Sequence, residues 1–197
     1  MKSKNYHFGD LKAALIKETL KQLSKNDYRK ISFRMIAKNL GVAASAPYNH
    51  FKNKDQLFQE IIRNGKKKLI DLMKNEKKKS NIPSQQLSLV AKCYLSFARQ
   101  EKQLFDLMFD RMNKELLNLT NEVIFQFKDI VREKLSESKR FRISEDGAAI
   151  TAWSMIHGLA YAINLTDLES FEDKVNMKLN KVFMEMSSIW AKGVTNN

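Results

Sequence analysis

Apolar residues recur every three or four positions along almost the whole chain, which is the period of an amphipathic α-helix and not of a strand. The first such stretch runs from about Leu11 to Leu23. Two short stretches follow, one over Phe33–Leu40 and one that begins at about Ala44–Ala46, and a longer one starts after Asn53. The pattern therefore predicts four consecutive helices in the N-terminal third of the chain.

Residues that cap helices stand at the expected ends. Asp10, Ser32 and Asn53 each precede a predicted helix, where a side-chain oxygen can accept a free N–H of the first turn. Gly41 follows the second helix, where a left-handed backbone is needed, and Pro47 lies in the first turn of the third, where a missing N–H costs little. We expect the two short helices to be joined by a turn of only two or three residues.

The rest of the chain predicts five further helices, at about 85–100, 102–112, 115–135, 145–166 and 171–192. A polar segment that contains Pro83 precedes them, and only six glycines and two prolines occur in the chain. We therefore expect an all-α fold of about nine helices. An N-terminal three-helix domain would cover residues 1–55, a C-terminal helical bundle would cover residues 56–197, and the helix at 53–75 would connect them.

Charge is distributed unevenly along the chain. The formal net charge is +13, and the first 80 residues contain 20 Lys and Arg against 7 Asp and Glu, whereas residues 81–197 contain 15 of each. A localised excess of this kind favours a polyanionic partner, foremost a nucleic acid. A solvated basic face or a helix on a membrane surface would give the same count.

Several classes of protein have no support in the sequence. Cys93 is the single cysteine, the first residues lack the apolar core of a signal peptide, and no run approaches 18 apolar residues, so we expect a cytoplasmic protein without a membrane span. The three histidines lack the spacing of a metal site, and no nucleophile-elbow, phosphate-loop or dinucleotide motif occurs. We expect no enzymatic activity, no metal and no cofactor.

Residues 33–50 have the layout of a helix-turn-helix, in which the second of two short helices enters the major groove of DNA. The second helix combines alanines that allow close approach, Ser and Asn that can bond base edges, and Tyr and His that can reach phosphates. The candidate DNA-binding residues are Ser32, Arg34, Ala44, Ser45, Ala46, Tyr48, Asn49, His50 and Lys54. Two ordinary core helices with a glycine turn are the alternative.

The segment IAKNLGVAASAPYNHFKNKDQLFQEII resembles the DNA-binding region of TetR-family regulators, and the resemblance extends over Asp10–Arg63. It is carried by Gly-Val, then Tyr-x-His-Phe, then x-x-Lys-x-x-Leu. Ala43 departs from the family, which often has Ser there, and the missing cap would weaken the pre-ordering of the recognition helix. The resemblance implies a homodimeric repressor that binds a palindromic operator in double-stranded DNA and is released by a small molecule.

In the C-terminal half, Trp153, His157 and Gly158 resemble the W-x-x-x-H-G signature of one TetR subgroup. The resemblance implies an effector cavity in this half for a largely apolar molecule. The candidate effector-binding residues are Tyr94, Phe97, Phe105, Met108, Phe109, Met112, Phe125, Trp153, His157 and Tyr161. Plain core packing is the simpler interpretation, with His157 as a core histidine that has a satisfied hydrogen bond.

The last two helices are amphipathic, and their apolar faces suggest a dimer interface. The candidate interface residues are Ala149, Ala152, Ile156, Val182, Phe183, Met186 and Trp190.

Two other functions are compatible with the sequence. A nonspecific basic architectural protein would bind all duplexes equally, and a helical scaffold protein would use its lysines on a membrane or another protein.

Overall fold

The computed structural model describes residues 8–110, 113, 116–136, 143–166 and 168–194. Within these ranges the protein is all-α, as the sequence predicts, with two short 3-10 helices at Tyr28–Lys30 and Ala46–Asn49. The α-helices are α1 (Phe8–Leu23), α2 (Phe33–Leu40), α3 (Lys54–Lys77), α4 (Pro83–Gln100), α5 (Lys102–Met108), α6 (Leu116–Ser136), α7 (Glu145–Leu165), α8 (Leu168–Val175) and α9 (Leu179–Val194).

The chain forms two compact units. The first comprises the chain up to Lys67 together with the segment from Glu101 to Leu116, and the second comprises the remainder. The packing boundary therefore falls inside α3, and α5 packs with the N-terminal unit. The functional boundary at residue 55 stays a prediction.

A buried apolar core holds the first unit together. Leu15 of α1, Ile36 of α2 and both Leu57 and Ile61 of α3 are almost completely buried. Gly65 explains how α5 joins them, because a Cβ atom there would lie 2.8 Å from the sulfur of Met108. The missing side chain lets α3 approach α5 closely.

The second unit is organised around the contact between α4 and α7. Alanines on the inner face of α7, such as Ala148 and Ala160, are fully buried and allow the helices to pack closely. Buried polar groups are bonded across the unit: Asn164 donates to the carbonyl of Ala98 at 2.9 Å, and the indole of Trp190 donates to the carbonyl of Ala148 at 3.0 Å. These bonds fix how α7 sits against α4 and α9.

The helix predicted over 171–192 is wrong as a single element, because α8 ends at Val175 and α9 begins at Leu179. Asn176 adopts a left-handed backbone with φ 48°, which Asn tolerates better than most residues. Glu172 stabilises the corner by accepting the N–H of Leu179 at 2.8 Å and the ammonium of Lys178 at 2.7 Å. Of the helices in the described ranges, none has the length and apolar character that a membrane crossing requires.

Candidate functional site

The first helix of the predicted helix-turn-helix, α2, is capped at both ends as the sequence indicates. Ser32 has an extended backbone, and its hydroxyl accepts the N–H of Met35 at 3.2 Å. Gly41 has φ 70° and ψ 31°, and the N–H of Val42 reaches back to the carbonyl of Ala37 at 3.0 Å. This Schellman arrangement fixes the direction in which the chain leaves α2.

The second helix is not the short α-helix that the sequence predicts. Residues 44–50, here called the recognition segment, form a turn followed by the 3-10 helix Ala46–Asn49. Its cap residue Ser45 makes no side-chain cap bond, and the N–H of Ala46 is bound by the carbonyl of Ala43 at 2.9 Å. An alanine at position 43 offers no side-chain acceptor, so a tight backbone turn takes the place of a capped α-helical start.

The recognition segment is anchored from below and leaves its polar residues outside. Pro47 and Phe51 are buried, whereas Tyr48 is 60% exposed and Asn49 is exposed. His50 is half-buried. Tyr48 and Asn49 therefore lie on the surface of the unit, which is what a DNA-binding role requires and what the core-helix alternative does not expect. Their contact with DNA stays a prediction.

The other candidate DNA-binding residues occupy varied positions. Arg34, Ala44 and Ser45 are exposed, and Ala46 is half-buried. Lys54 opens α3 as expected, but its ammonium lies against its own unit. It donates to the carbonyl of Arg29 at 3.4 Å and lies 5.3 Å from the ring centre of Phe58. These contacts compete with the phosphate contact that the sequence suggests for Lys54.

Three further cations were absent from the sequence-based set. Lys30, Lys38 and Lys52 are exposed and make no ion pair with any described residue. Arg29, in contrast, pairs with Asp27 at 3.4 Å and with Asp110 at 3.5 Å. The excess of basic residues in the N-terminal part of the sequence indicated that some of its lysines bind a polyanion. The structure adds which of them are exposed and make no ion pair with a described residue.

The candidate effector-binding residues are divided between the two units. Phe105, Met108 and Phe109 lie on or beside α5 in the N-terminal unit. Phe125 and Tyr161 are exposed, and Met112 lies outside the described residues. Tyr94 and Phe97 are buried on α4, and Trp153 and His157 are half-buried on α7. Five of the ten candidates thus lie in the N-terminal unit or face solvent, and a role of the set in effector binding stays a prediction.

One part of the set does form a cluster. The hydroxyl of Tyr94 and Nδ1 of His157 are 2.9 Å apart, and the Trp153 ring stacks on His157 with centroids separated by 4.9 Å. Burial lowers the pKa of His157 and raises that of the Tyr94 hydroxyl, so both are neutral near pH 7. His157 thus has the hydrogen bond that the simpler interpretation expects.

A pocket of 390 Å³ lies elsewhere in the second unit, between α4, α7 and α9 with a contribution from α6. Ser84 and Ser88 of α4, Met155 of α7 and Met184 of α9 are among its lining residues. Five candidate dimer residues line it as well: Ala152, Ile156, Phe183, Met186 and Trp190. The structure thus associates these residues with a groove of the protomer that is partly open to solvent, since the lining residues Ser84 and Met184 are exposed.

Most candidate interface residues are unavailable to a partner subunit, which corrects the prediction. Ala149, Ala152, Ile156, Phe183 and Trp190 are buried within the protomer, and Val182 and Met186 are half-buried. The exposed apolar residues of these helices are different ones, namely Ile150, Tyr161 and Leu165 on α7 and Met184 and Ile189 on α9. The amphipathic pattern correctly identified the apolar residues of α7 and α9, but most of these residues pack inside the protomer and not against a partner.

No group of three potential metal ligands occurs among the described residues.

Two family models match the chain: "Bacterial regulatory proteins, tetR family" over residues 15–61 and "Tetracyclin repressor-like, C-terminal domain" over residues 87–173. Together the two matches span about two thirds of the chain. The first covers the helix-turn-helix, and the second begins within α4 and ends within α8.

Relatives and solved structures agree with these matches. The nucleoid occlusion factor SlmA of Aliivibrio fischeri is 27% identical over 138 residues, which are 66% of this chain and 70% of that protein. A protein of unknown function from Rhodococcus sp. RHA1 has a TM-score of 0.81 at 20% identity, covering 98% of this chain and all of that one. FadR from Bacillus subtilis, solved with stearoyl-CoA, has a TM-score of 0.70 at 19% identity, covering 92% and 98% of the two chains. At these identities the structural likeness shows the shared fold.

Proposed function

Because the chain belongs to the TetR family of bacterial DNA-binding regulatory proteins, we propose that it is a sequence-specific transcriptional repressor that a small-molecule effector releases from its operator. The observation that carries the proposal is the exposure of Tyr48 and Asn49 on a turn that is buried at Pro47 and Phe51. The same unit contains most of the excess positive charge of the chain, with 18 Lys and Arg against 9 Asp and Glu, which is +9 of the net +13. A surface with both features suits a duplex.

The residues of the recognition segment have separate roles in this proposal. Ser45 and Asn49 contact base edges, with Asn favouring adenine, and Ala44 and Ala46 allow close approach and pack against thymine methyl groups. Tyr48 and His50 contact phosphate oxygens, which set the position of the protein on the duplex. The exposed Ser32 and Arg34 at the start of α2 flank the same surface.

Lys30, Lys38 and Lys52 extend the phosphate-binding surface. Each is exposed and outside the ion pairs of the described residues, so its charge is available to a polyanion. Phosphate contacts of this kind release counterions, and they make binding depend steeply on salt. These lysines therefore supply affinity, while the recognition segment supplies specificity.

The regulator acts as a homodimer in this proposal. The exposed apolar residues Ile150, Tyr161 and Leu165 follow one stripe of α7, together with the small residues Ser154 and Gly158. A Cβ atom at Gly158 would meet no atom within 4 Å inside the protomer, so a partner helix can approach there. A twofold dimer would place two recognition segments about one DNA turn apart, ~34–36 Å, on a palindromic operator.

The protein acts in the cytoplasm, where its operator is accessible. Its effector binds in the C-terminal unit. The pocket between α4, α7 and α9 has a volume suited to a small molecule. FadR, whose fold the chain shares, was solved with stearoyl-CoA, which supports a largely apolar ligand here too. The W-x-x-x-H-G subgroup remains part of the proposal and depends on Trp153, His157 and Gly158 alone.

Selection of bound duplexes from a random pool with the purified protein tests this function. We expect enrichment of one inverted repeat. A pool that stays random while the protein still binds DNA would support the nonspecific architectural protein instead. Absence of DNA binding at low salt would support the scaffold protein. Either result would overturn the proposal.

A further inference from the structure

The walls of the pocket between α4, α7 and α9 contain no ionisable side chain. Eleven of the fifteen lining residues are apolar, and the other four are serines. Three of the apolar residues are methionines (Met155, Met184 and Met186), whose flexible side chains adapt to irregular ligands. A charge placed against these walls would lose its hydration without gaining a partner. The body of any ligand in this pocket is therefore uncharged and largely apolar.

Among the described residues, Lys92 is the cation that makes a ring contact with a wall residue. The ammonium of Lys92 lies 5.5 Å from the ring centre of Phe183, and that ring lines the pocket. Lys92 directly follows Ala91 on α4 and is one turn from Ser88, and both of these residues line the pocket. Lys92 is exposed, and it makes no ion pair with a described residue. Its charge is thus placed where the apolar pocket meets solvent.

We infer that this pocket binds an amphipathic anion, with an apolar chain between α4, α7 and α9 and an anionic head group paired with Lys92. The inference rests on the proposed function, for which it names the chemical class of the effector. A carboxylate and a phosphate would both suit an ammonium, so a fatty acid and a phosphate-bearing acyl compound share the required chemistry. The serine hydroxyls at the walls can hydrogen-bond either head group or the adjoining polar atoms.

The position of the pocket also connects ligand binding with the proposed dimer. α7 and α9 both line the pocket, and α7 also carries the exposed stripe proposed for the interface, which includes Ile150 and Tyr161. An occupant that separates these helices would change the surface that each subunit presents to the other. Occupancy would therefore alter the contact between the two subunits.

Fluorescence of Trp190 gives a direct measurement, because Trp190 lines the pocket and the chain has only one other tryptophan. In a Trp153→Phe background, the protein would be titrated with dodecanoate, dodecyl phosphate, dodecanol and dodecyltrimethylammonium, all below their micelle concentrations. We expect saturable binding of one dodecanoate or dodecyl phosphate per chain, weaker binding of dodecanol and none of the cation. The ratio between the two anions then identifies the preferred head group. Calorimetry on the unaltered protein provides the same affinities without the tryptophan substitution.

Three variants assign the binding to this pocket. Lys92→Gln should weaken dodecanoate binding roughly two- to fivefold without changing that of dodecanol, because only the head-group contact is lost. Lys174→Gln removes the same charge from an exposed position on α8 and should change neither. Ser88→Phe should abolish binding of both ligands by filling the pocket, while circular dichroism and DNA binding confirm that the variant folds.

Two results would overturn the inference. Equal affinities for dodecanoate and dodecanol, unchanged by Lys92→Gln, would show that Lys92 does not hold a head group. An absence of saturable binding, or full binding by Ser88→Phe, would show that the pocket is not the site. Neither result bears on DNA binding, which is measured separately, so failure of this inference is distinguishable from failure of the proposed function.

Discussion

The rings of Tyr48 and Phe33 make an edge-to-face contact, with centroids 5.0 Å apart and planes inclined by 79°. Phe33 is buried as the first residue of α2, whereas most of Tyr48 remains exposed. An edge-to-face contact of this kind orients the outer ring, because the positive ring edge meets the negative face of its neighbour. The supporting helix thereby sets the direction of the largest exposed side chain in the recognition segment.

Tyr48→Ala should weaken binding to the selected operator about tenfold or more, since a hydrogen bond to a charged phosphate contributes ~1.5–3 kcal/mol. The melting temperature should hardly change, because the side chain is mostly exposed. Fluorescence anisotropy at fixed salt measures the loss. Ile82→Ala, which trims an exposed side chain of the second unit, is the matched control and should bind as the unaltered protein does. Unchanged operator affinity of Tyr48→Ala would contradict the assigned role.

Substitutions of Ser32 separate its capping role from a role in DNA binding. Ser32→Ala removes the cap of α2 and should lower the free energy of unfolding by about 1 kcal/mol. Ser32→Asp should keep the cap and the stability but weaken DNA binding, because its carboxylate repels phosphates. Denaturant titration and anisotropy measure the two effects. Full operator affinity in Ser32→Asp would exclude Ser32 from the DNA surface.

Ala43→Ser should stabilise the recognition segment. The new hydroxyl can accept the N–H of Ala46, which now has only the carbonyl of residue 43 as acceptor in the turn. A cap of this kind contributes about 1 kcal/mol, which is roughly 2–4 °C in melting temperature for a chain of this size. Ala44→Ser places a hydroxyl one residue later and serves as the control. No gain in Ala43→Ser would show that the 3-10 geometry has another origin.

Stability of the second unit should depend on pH through His157. Because burial lowers the pKa of His157 in the folded protein, the unfolded chain takes up a proton near its usual value of 6.5 before the folded one does. The free energy of unfolding should therefore be highest above pH 6.5 and fall as the pH decreases below it. Denaturant titrations between pH 5 and 8 measure this dependence. His157→Gln should flatten it, and an unaltered slope in that variant would rule out His157 as its source.

The exposed stripe of α7 should determine the oligomeric state. Tyr161→Glu places a charge among Ile150, Gly158 and Leu165, and burial of that charge in an interface is unfavourable. Light scattering coupled to gel filtration should show a monomer at micromolar concentration. Leu117→Glu adds the same charge at an exposed position on α6 and should leave the dimer intact. A dimeric Tyr161→Glu protein would require another interface.

The sequence predicted the ends of the first helices well because a helix cap depends on residues that are close together in the chain. The cap at Ser32 and the left-handed Gly41 each depend on neighbours within a few residues, and both are confirmed. The 3-10 form of the recognition segment was not predicted, since Ala43 indicated a weak helix start but not the geometry that replaces it. The break at Asn176 depends on a capping contact with Glu172 that periodicity does not record.

The C-terminal residues were harder to assign because their roles depend on tertiary packing. An amphipathic face on α9 such as that of Phe183 and Trp190 can cover the protomer or a partner, and the sequence does not distinguish the two. Aromatic residues such as Phe105 and Phe125 looked equivalent, but one is buried in the first unit and the other is exposed. The pocket itself involves serines that no motif marks.

The ratio of affinities for the selected operator and for a scrambled duplex of equal length tests the central claim most directly. Measured by anisotropy at physiological salt, it should reach about 10³ or more for the unaltered protein. In Asn49→Ala it should fall by roughly five- to a hundredfold, because a bidentate contact from Asn to adenine contributes ~1–3 kcal/mol of discrimination. A ratio near one in the unaltered protein, or a ratio that Asn49→Ala leaves unchanged, would contradict recognition of DNA by this segment.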